Sequence, residues 1–245
     1  MTKESKIIGL NLGSGKDWAY ESWLGIDEVN GEVLTKNSVF PFSDDSISFI
    51  YSSHFFEHVS DETALNLLKE SFRVLKPGGV FRMVVPDFAL FLKKYRENDC
   101  EWYSRNGGLD GRPEWPQFGV KNTLSNILLH WLSNYDFKSE EGFYRGPPRG
   151  IDEKEVKARA FDNSLEEFCN WIHSKVPVKD PRVKTQHINW WDSKKMKKFA
   201  MSSGFLSFLQ KQYMETDFTE FTDSDMFDSW QPGRKEFSLF FEFVK

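Results

Sequence analysis

Short apolar runs alternate with polar turns through the first 95 residues. Ile7-Ile8-Gly9-Leu10, within residues 7–12, and Trp23-Leu24-Gly25-Ile26, within 22–27, have the length of buried strands and are too short for helices. A third short strand is expected near Glu32-Val33-Leu34. Ile47-Ser48-Phe49-Ile50-Tyr51 follows the polar turn Ser43-Asp44-Asp45-Ser46 and reads as a further strand. The period then changes. Ala64, Leu65, Leu68, Phe72 and Leu75 recur at helical spacing, with Ser60 or Asp61 placed to cap the start and Pro77-Gly78-Gly79 to stop the end. Val80-Phe81-Arg82-Met83-Val84-Val85 reads as a strand ending at Pro86-Asp87. A helix over 88–96 follows, with Phe88, Phe91, Leu92 and Tyr95 on one face.

Beyond about residue 98 the pattern loosens. Glycine and proline cluster in Asn106-Gly107-Gly108 through Trp115-Pro116 and again in Gly146-Pro147-Pro148-Arg149-Gly150. Between and after them lie two amphipathic helices. Val120, Leu124, Ile127, Leu128, Trp131 and Tyr135 mark the first. Leu165, Phe168, Ile172 and Val176 mark the second, with Asn163 or Ser164 as its cap. This stretch, about 98–186, reads as a helical and loop insertion within one domain spanning 1–245, too rich in loops to hold a large core alone. The α/β pattern then returns. A helix capped by Asp192 or Ser193 carries Met196, Phe199 and Ala200 and ends at Gly204. Runs at about 205–214 and 236–244 read as the last two strands, separated by the acidic loop 215–235.

Composition narrows the class. The 245 residues are 39% hydrophobic and include 24 Phe and 9 Trp, enough for a large aromatic core or a groove for flat or sugar-like ligands. A net charge of −5 argues against a polyanion-binding surface, so no nucleic-acid partner is expected. Lys194-Lys195 and Lys197-Lys198 read as one solvated helix face. Cys100 and Cys169 form no staple framework and reach no metal-ligand spacing, which suits a reducing compartment. No apolar stretch approaches the ~20 residues of a membrane span. Residues 1–6 hold no apolar secretion signal, so a soluble cytoplasmic protein is expected.

Candidate chemistry begins where the first strand ends. Asn11-Leu12-Gly13-Ser14-Gly15 is a glycine loop after a strand, and Asp27 closes the second strand. Glycines admit a ligand close to the backbone, and an acid there can accept hydrogen bonds from both ribose hydroxyls. Only eleven residues separate Gly15 from Asp27. They must hold the connection and the second strand, so no long first helix fits. The third glycine of the dinucleotide fingerprint is also missing, which argues against nicotinamide or flavin enzymes.

Three further blocks complete the pattern: Phe40-Pro41-Phe42-Ser43-Asp44-Asp45-Ser46-Ile47; Ile50-Tyr51-Ser52-Ser53-His54-Phe55-Phe56-Glu57-His58; and Arg73-Val74-Leu75-Lys76-Pro77-Gly78-Gly79. Together they resemble the class I S-adenosylmethionine-dependent methyltransferases. They most resemble the compact predicted methyltransferases associated with polysaccharide and glycan synthesis. The resemblance covers residues 7–95 and returns faintly at His187-Ile188-Asn189-Trp190-Trp191-Asp192 and Ser203-Gly204-Phe205. It implies a Rossmann-like α/β fold with a mostly parallel seven-stranded sheet of order 3-2-1-4-5-7-6 and an antiparallel last strand. The insertion 98–186 would form a lid, with Trp102, Tyr103, Trp115, Trp131 and Tyr144 available to stack on an acceptor.

The resemblance also implies S-adenosylmethionine as cofactor. Gly13, Ser14 and Gly15 would cradle its amino-acid end, Asp27 its ribose and Asn37 its adenine edge. Ser53 and His54 would face the sulfonium and substrate. Asn11 stands where the family often has an acid; it can accept a hydrogen bond but cannot balance an ammonium charge.

The expected reaction is O-methylation of a small or sugar-type acceptor, with His54, Asp87 and His187 as candidate bases. Two other classes compete. One is a non-catalytic cofactor-binding or scaffold protein of the same fold, which calorimetry with S-adenosylmethionine addresses, since no binding at millimolar ligand would exclude a methyltransferase. The other is a zinc hydrolase through His54, Glu57 and His58, since His54-Phe55-Phe56-Glu57-His58 matches an inverted zinc-peptidase pattern. That chemistry needs both histidines on one helical face, whereas His54 directly follows a strand. No metal site is therefore assigned.

Overall fold

The computed structural model describes residues 7–16, 18–28, 31, 33–107, 119–139, 142–176, 186–222, 227 and 234–245, with backbone alone at 107, 135–139 and 142–145. The first two apolar runs form β1 (Gly9–Leu12) and β2 (Trp23–Ile26), and the third forms β3 (Ile47–Ser53). A single 3-10 turn, Phe56–His58, leads to α1 (Asp61–Val74), whose first turn is capped by the Ser60 hydroxyl accepting from Thr63 N. β4 (Leu75–Pro86) and α2 (Phe88–Arg96) follow. Then come α3 (Leu124–Ser133), the hairpin of β5 (Tyr135–Ser139) and β6 (Gly142–Gly146), α4 (Glu153–Asp162) and α5 (Leu165–Lys175). The chain ends with α6 (Ser193–Ser202), β7 (Ser207–Lys211) and β8 (Ser238–Val244).

These elements form two compact units, Met1–Pro86 with Asp192–Lys245, and Asp87–Trp191. The first unit holds a six-stranded sheet of order β2-β1-β3-β4-β8-β7. β1 to β4 pair in parallel, and β8 runs antiparallel to both its neighbours. The sheet is thus mostly parallel with an antiparallel last strand, as expected, but among the described residues it has six strands rather than seven. The strand expected at 32–34 is missing from it: Val33 and Leu34 are irregular, and Glu32 lies outside the described residues. Val33 is 62% exposed, so a strand there would bury no apolar face. β2 therefore forms the sheet edge.

Pro77-Gly78-Gly79 acts differently from a helix stop. α1 already ends at Val74, and β4 starts at Leu75 with the proline and glycines inside it. They form a bulge, seen as a register shift between the pairs Ile47–Leu75 and Phe49–Val80. Gly78 has φ +78°, and its N–H donates to the Lys245 carbonyl.

Strand alternation divides the core of this unit. On one face Tyr51, Val80, Val84 and Phe240 pack with Phe221 and Phe227 from the β7–β8 connection, flanked by Trp18, Tyr20 and Trp23. Aromatic side chains cover the sheet where the short Gly15–Asp27 connection leaves no room for a helix. The same face carries a fully buried ion pair, Arg82 Nη1 to Glu242 Oε1 at 2.8 Å, and Arg82 also donates to the Glu215 carbonyl. Phe81 and Phe243 turn the other way and join Phe205 and Phe72 of α1.

The second unit has its own aromatic centre. Phe91 of α2 lies 5.2 Å from both Trp102 and Trp131, and the Tyr103 hydroxyl donates to the Phe91 carbonyl. Arg96 ties α2 to the end of α4 through the Ala160 carbonyl. Ser164 and Glu167 form a reciprocal capping box at the start of α5. Trp102 and Tyr103, expected among the acceptor-stacking side chains, are buried in this core. Trp115 and the side chain of Tyr144 lie outside the described residues.

Candidate active site

In a parallel sheet ligands gather beyond the carboxyl ends of the strands. Those ends of β1, β2 and β3 bring together Asn11, Gly13, Ser14, Gly15, Asp27, Ser53 and His54 in the first unit. The Gly13 N–H donates to the Ile26 carbonyl at 2.8 Å, which ties the loop to β2. Gly13 and Gly15 have φ +72° and +73°, the left-handed region that favours glycine. The Gly15 N–H donates to Asp27 Oδ2 at 3.1 Å. Asp27 therefore closes the loop as well as ending the second strand.

Two observations test the loop as a cofactor cradle. A side chain added at Gly15 would meet nothing within 4 Å, so open space lies over its backbone. Asn11, 3% exposed at the end of β1, holds its Oδ1 buried with no hydrogen-bond partner. An orphaned buried acceptor is costly to maintain, and an ammonium group is a donor that would satisfy it. Both features fit S-adenosylmethionine, whose amino-acid end brings an ammonium and needs close backbone approach.

The chain turns sharply after β3. The His54 N–H extends the sheet by donating to the Val84 carbonyl at 2.9 Å, while His54 itself takes φ +51°. That turn presses Phe55 against Gly13, where a Cβ would lie 2.5 Å from the Phe55 side chain. The next three residues form the 3-10 turn that folds Glu57 back under His54. His54 Nδ1 stands 3.3 Å from Glu57 Oε1, and His58 Nε2 stands 3.9 Å from the same oxygen. Glu57 is fully buried. On its other side, His54 Nε2 lies 3.1 Å from the Ser238 hydroxyl. No helix joins His54 to His58, so the zinc-peptidase geometry is not formed.

Ser53 is buried in the last position of β3. The Ser14 hydroxyl donates to the Gly15 carbonyl at 3.3 Å. Asn37 is exposed, in a turn held by the Ser38 hydroxyl accepting from Thr35 N. The remaining two candidates belong to the second unit. Asp87 caps α2, its Oδ1 accepting from Leu90 N at 2.9 Å. His187 is buried; its Nδ1 lies 2.8 Å from the Trp131 carbonyl and its backbone N–H donates to the Ser133 carbonyl, which fastens the chain to the end of α3.

Ser238 belongs to no motif of the sequence, and Glu57 is a candidate only in the competing zinc-hydrolase pattern with His54 and His58. Glu57 stood in a visible Glu-His pair. Ser238 carried no local signal, because 184 positions separate it from His54.

The family model described as "Methyltransferase domain" matches residues 19–83. Among curated proteins none matches this sequence. Solved structures with similarity include an S-adenosylmethionine-dependent methyltransferase from Mesorhizobium loti, at 12% identity and TM-score 0.41, covering 100% of this chain and 94% of that one. A second, from Archaeoglobus fulgidus, shows 10% identity and TM-score 0.42 over 99% and 87% of the two chains. A third, phosphoethanolamine N-methyltransferase 2 from Haemonchus contortus in complex with S-adenosyl-L-methionine, shows 12% identity and TM-score 0.36 over 98% and 49%. Residues 19–83 thus match a methyltransferase domain, and the mostly parallel sheet with its antiparallel last strand has the class I methyltransferase architecture around them.

Proposed function

We propose that this methyltransferase O-methylates a small or sugar-type acceptor, with His54 as the general base. The observation that carries the reading is His54 at the carboxyl end of β3, its Nδ1 against the buried Glu57 carboxylate and its Nε2 directed to a hydroxyl. S-adenosylmethionine supplies, when bound, a methyl group already activated on a sulfonium. The protein's task is then alignment and proton removal. Gly13 and Gly15 would admit the amino-acid end to the backbone, Asn11 Oδ1 would accept from its ammonium, and Asp27 would take the ribose hydroxyls. A hydroxyl acceptor is a poor nucleophile at neutral pH, and a positioned base contributes about 10²–10⁴ in rate.

Asp87 and His187 fit the base role less well. The first is engaged as the cap of α2 and the second fastens the chain to α3. The sugar class is supported by the subfamily resemblance and by the aromatic content. No helix among the described residues is long and apolar enough to cross a membrane.

Two experiments test the reading. Radiolabelled S-adenosylmethionine offered with nucleotide sugars and surface glycans should transfer label to a sugar hydroxyl; label confined to nitrogen acceptors would overturn O-methylation. Asp27→Ala should weaken S-adenosylmethionine binding by about tenfold or more in calorimetry, since it removes the ribose acceptor and the Gly15 anchor together. Unchanged affinity would take Asp27 out of the site.

A further inference from the structure

The last strand runs antiparallel to β4, so its first residue arrives where the parallel strands end. Ser238 pairs with Pro86 there, and His54 donates its backbone N–H to Val84 two positions earlier. Residues from opposite ends of the chain thus form a line: Glu57 Oε1, His54 Nδ1 at 3.3 Å, His54 Nε2, and Ser238 Oγ at 3.1 Å. Glu57 is fully buried and the His54 side chain is 7% exposed, so the line runs through low-dielectric surroundings. Ser238 is half-buried and forms the outer end.

We propose that Glu57 and Ser238 are positioning residues that fix the tautomer of His54. This rests on the reading of His54 as base and adds the groups that make it one. Glu57 Oε1 makes no aligned hydrogen bond in this structure, but its buried carboxylate 3.3 Å from Nδ1 favours a proton there over a bare ring nitrogen facing the same oxygen. Nε2 is then an acceptor, and the Ser238 hydroxyl donates to it in the resting enzyme. An acceptor hydroxyl would take the place of Ser238; as its oxygen bonds to the methyl carbon, the carbon–sulfur bond of the sulfonium would break with its electron pair left on the neutral thioether sulfur, and the hydroxyl proton would pass to Nε2. The imidazolium that results is stabilised by Glu57 and later yields the proton to solvent. Nucleophile, base and orienting acid in a row is the arrangement such proton transfer requires. The left-handed backbone at His54 also has a use here, since it turns the ring between the two partners.

Nitrogen-15 NMR of histidine-labelled protein tests this without an acceptor, with the five histidines assigned through His54→Ala. Wild-type His54 should carry its proton on Nδ1. Glu57→Gln should shift the tautomer ratio toward Nε2–H by about tenfold, because it removes the buried charge that faces Nδ1. Ser238→Ala should keep the tautomer but move the Nε2 resonance toward that of an unbonded nitrogen, and Ser238→Thr should restore it. A wild-type His54 protonated on Nε2 overturns the proposal. So does an unaltered Nε2 resonance in Ser238→Ala, which remains decisive should Glu57→Gln fail to fold. The base reading fails separately: label transfer to a nucleotide sugar that survives His54→Ala would remove His54 from the reaction while leaving its tautomer as proposed.

Discussion

Gly13 and Gly15 have nearly the same backbone angle and opposite surroundings. A Cβ at Gly13 would lie 2.5 Å from Phe55, whereas one at Gly15 would meet open space. Conformational strain is therefore common to both, and steric conflict belongs to Gly13 alone. Gly13→Ala should cost about 2–3 kcal/mol of stability and Gly15→Ala about 1 kcal/mol, read from urea unfolding. Calorimetry should show the converse sensitivity for Gly15→Ala, a nearly intact fold with weakened S-adenosylmethionine binding, because the new methyl group occupies the approach to the backbone. Equal stability losses would mean that Phe55 yields freely and that the tight contact at Gly13 has no energetic weight. Asn11 makes the complementary point. Its buried, unpartnered Oδ1 disfavours the empty protein, and a donor from the proposed cofactor would relieve that cost.

At the scale of elements, two of the most legible sequence blocks are held together by one side chain. Arg73, near the end of α1, donates to the Phe40 and Phe42 carbonyls and to the carboxylates of Glu70 and Asp44. The Phe40-Pro41-Phe42 segment is thereby anchored to the helix before β3 begins. Glu70 also accepts from Phe40 N, and its hydrogen bond with Arg73 is the main cause of a carboxyl held below its ordinary value. A depressed folded value stabilises the protein fully above the unfolded value near 4.5 and ceases to do so as pH falls through the depressed one. Glu70→Gln should accordingly be less stable than wild type at pH 7, with the gap in urea midpoint closing below pH 4.5. A gap independent of pH would assign the loss to shape rather than charge.

The same scale shows what the residue pattern could and could not reveal. α1, β3, α2 and β8 were legible because each has an unbroken period and a cap or turn at its ends. The expected strand at 32–34 had apolar residues but no neighbour to bury them, which single-strand patterning does not register. α4 went unread because only Val156 and Ala160 of its ten residues are buried, too narrow a stripe to announce a helix. In the candidate site, the glycine loop and Asp27 were legible as local motifs. Ser238 was not, because its meeting with His54 depends on the antiparallel insertion of β8 between β4 and β7.

That insertion governs the molecule as a whole. The first unit is discontinuous in sequence, and its two parts are joined through β8: Phe243 against Phe81 and Phe205, Glu242 against Arg82, Ser238 against His54. The second unit is one continuous stretch with its own centre around Phe91. Cooperativity should therefore follow spatial units and not sequence distance. Phe243 is fully buried, and Phe243→Ala should cost about 3–5 kcal/mol through lost burial and the cavity left behind. Hydrogen exchange followed by mass spectrometry at sub-denaturing urea should locate that loss. Peptides from β1, β3 and β4 should lose protection although they lie more than 150 residues away in the sequence, while those from α3 and α5, much closer to position 243, should keep it. Loss of protection in α3 and α5 to the same extent would show a single cooperative body. Loss confined to β7 and β8 would show that the last two strands add to a sheet already stable without them, and Ser238 would then reach His54 through a late, separable step of folding.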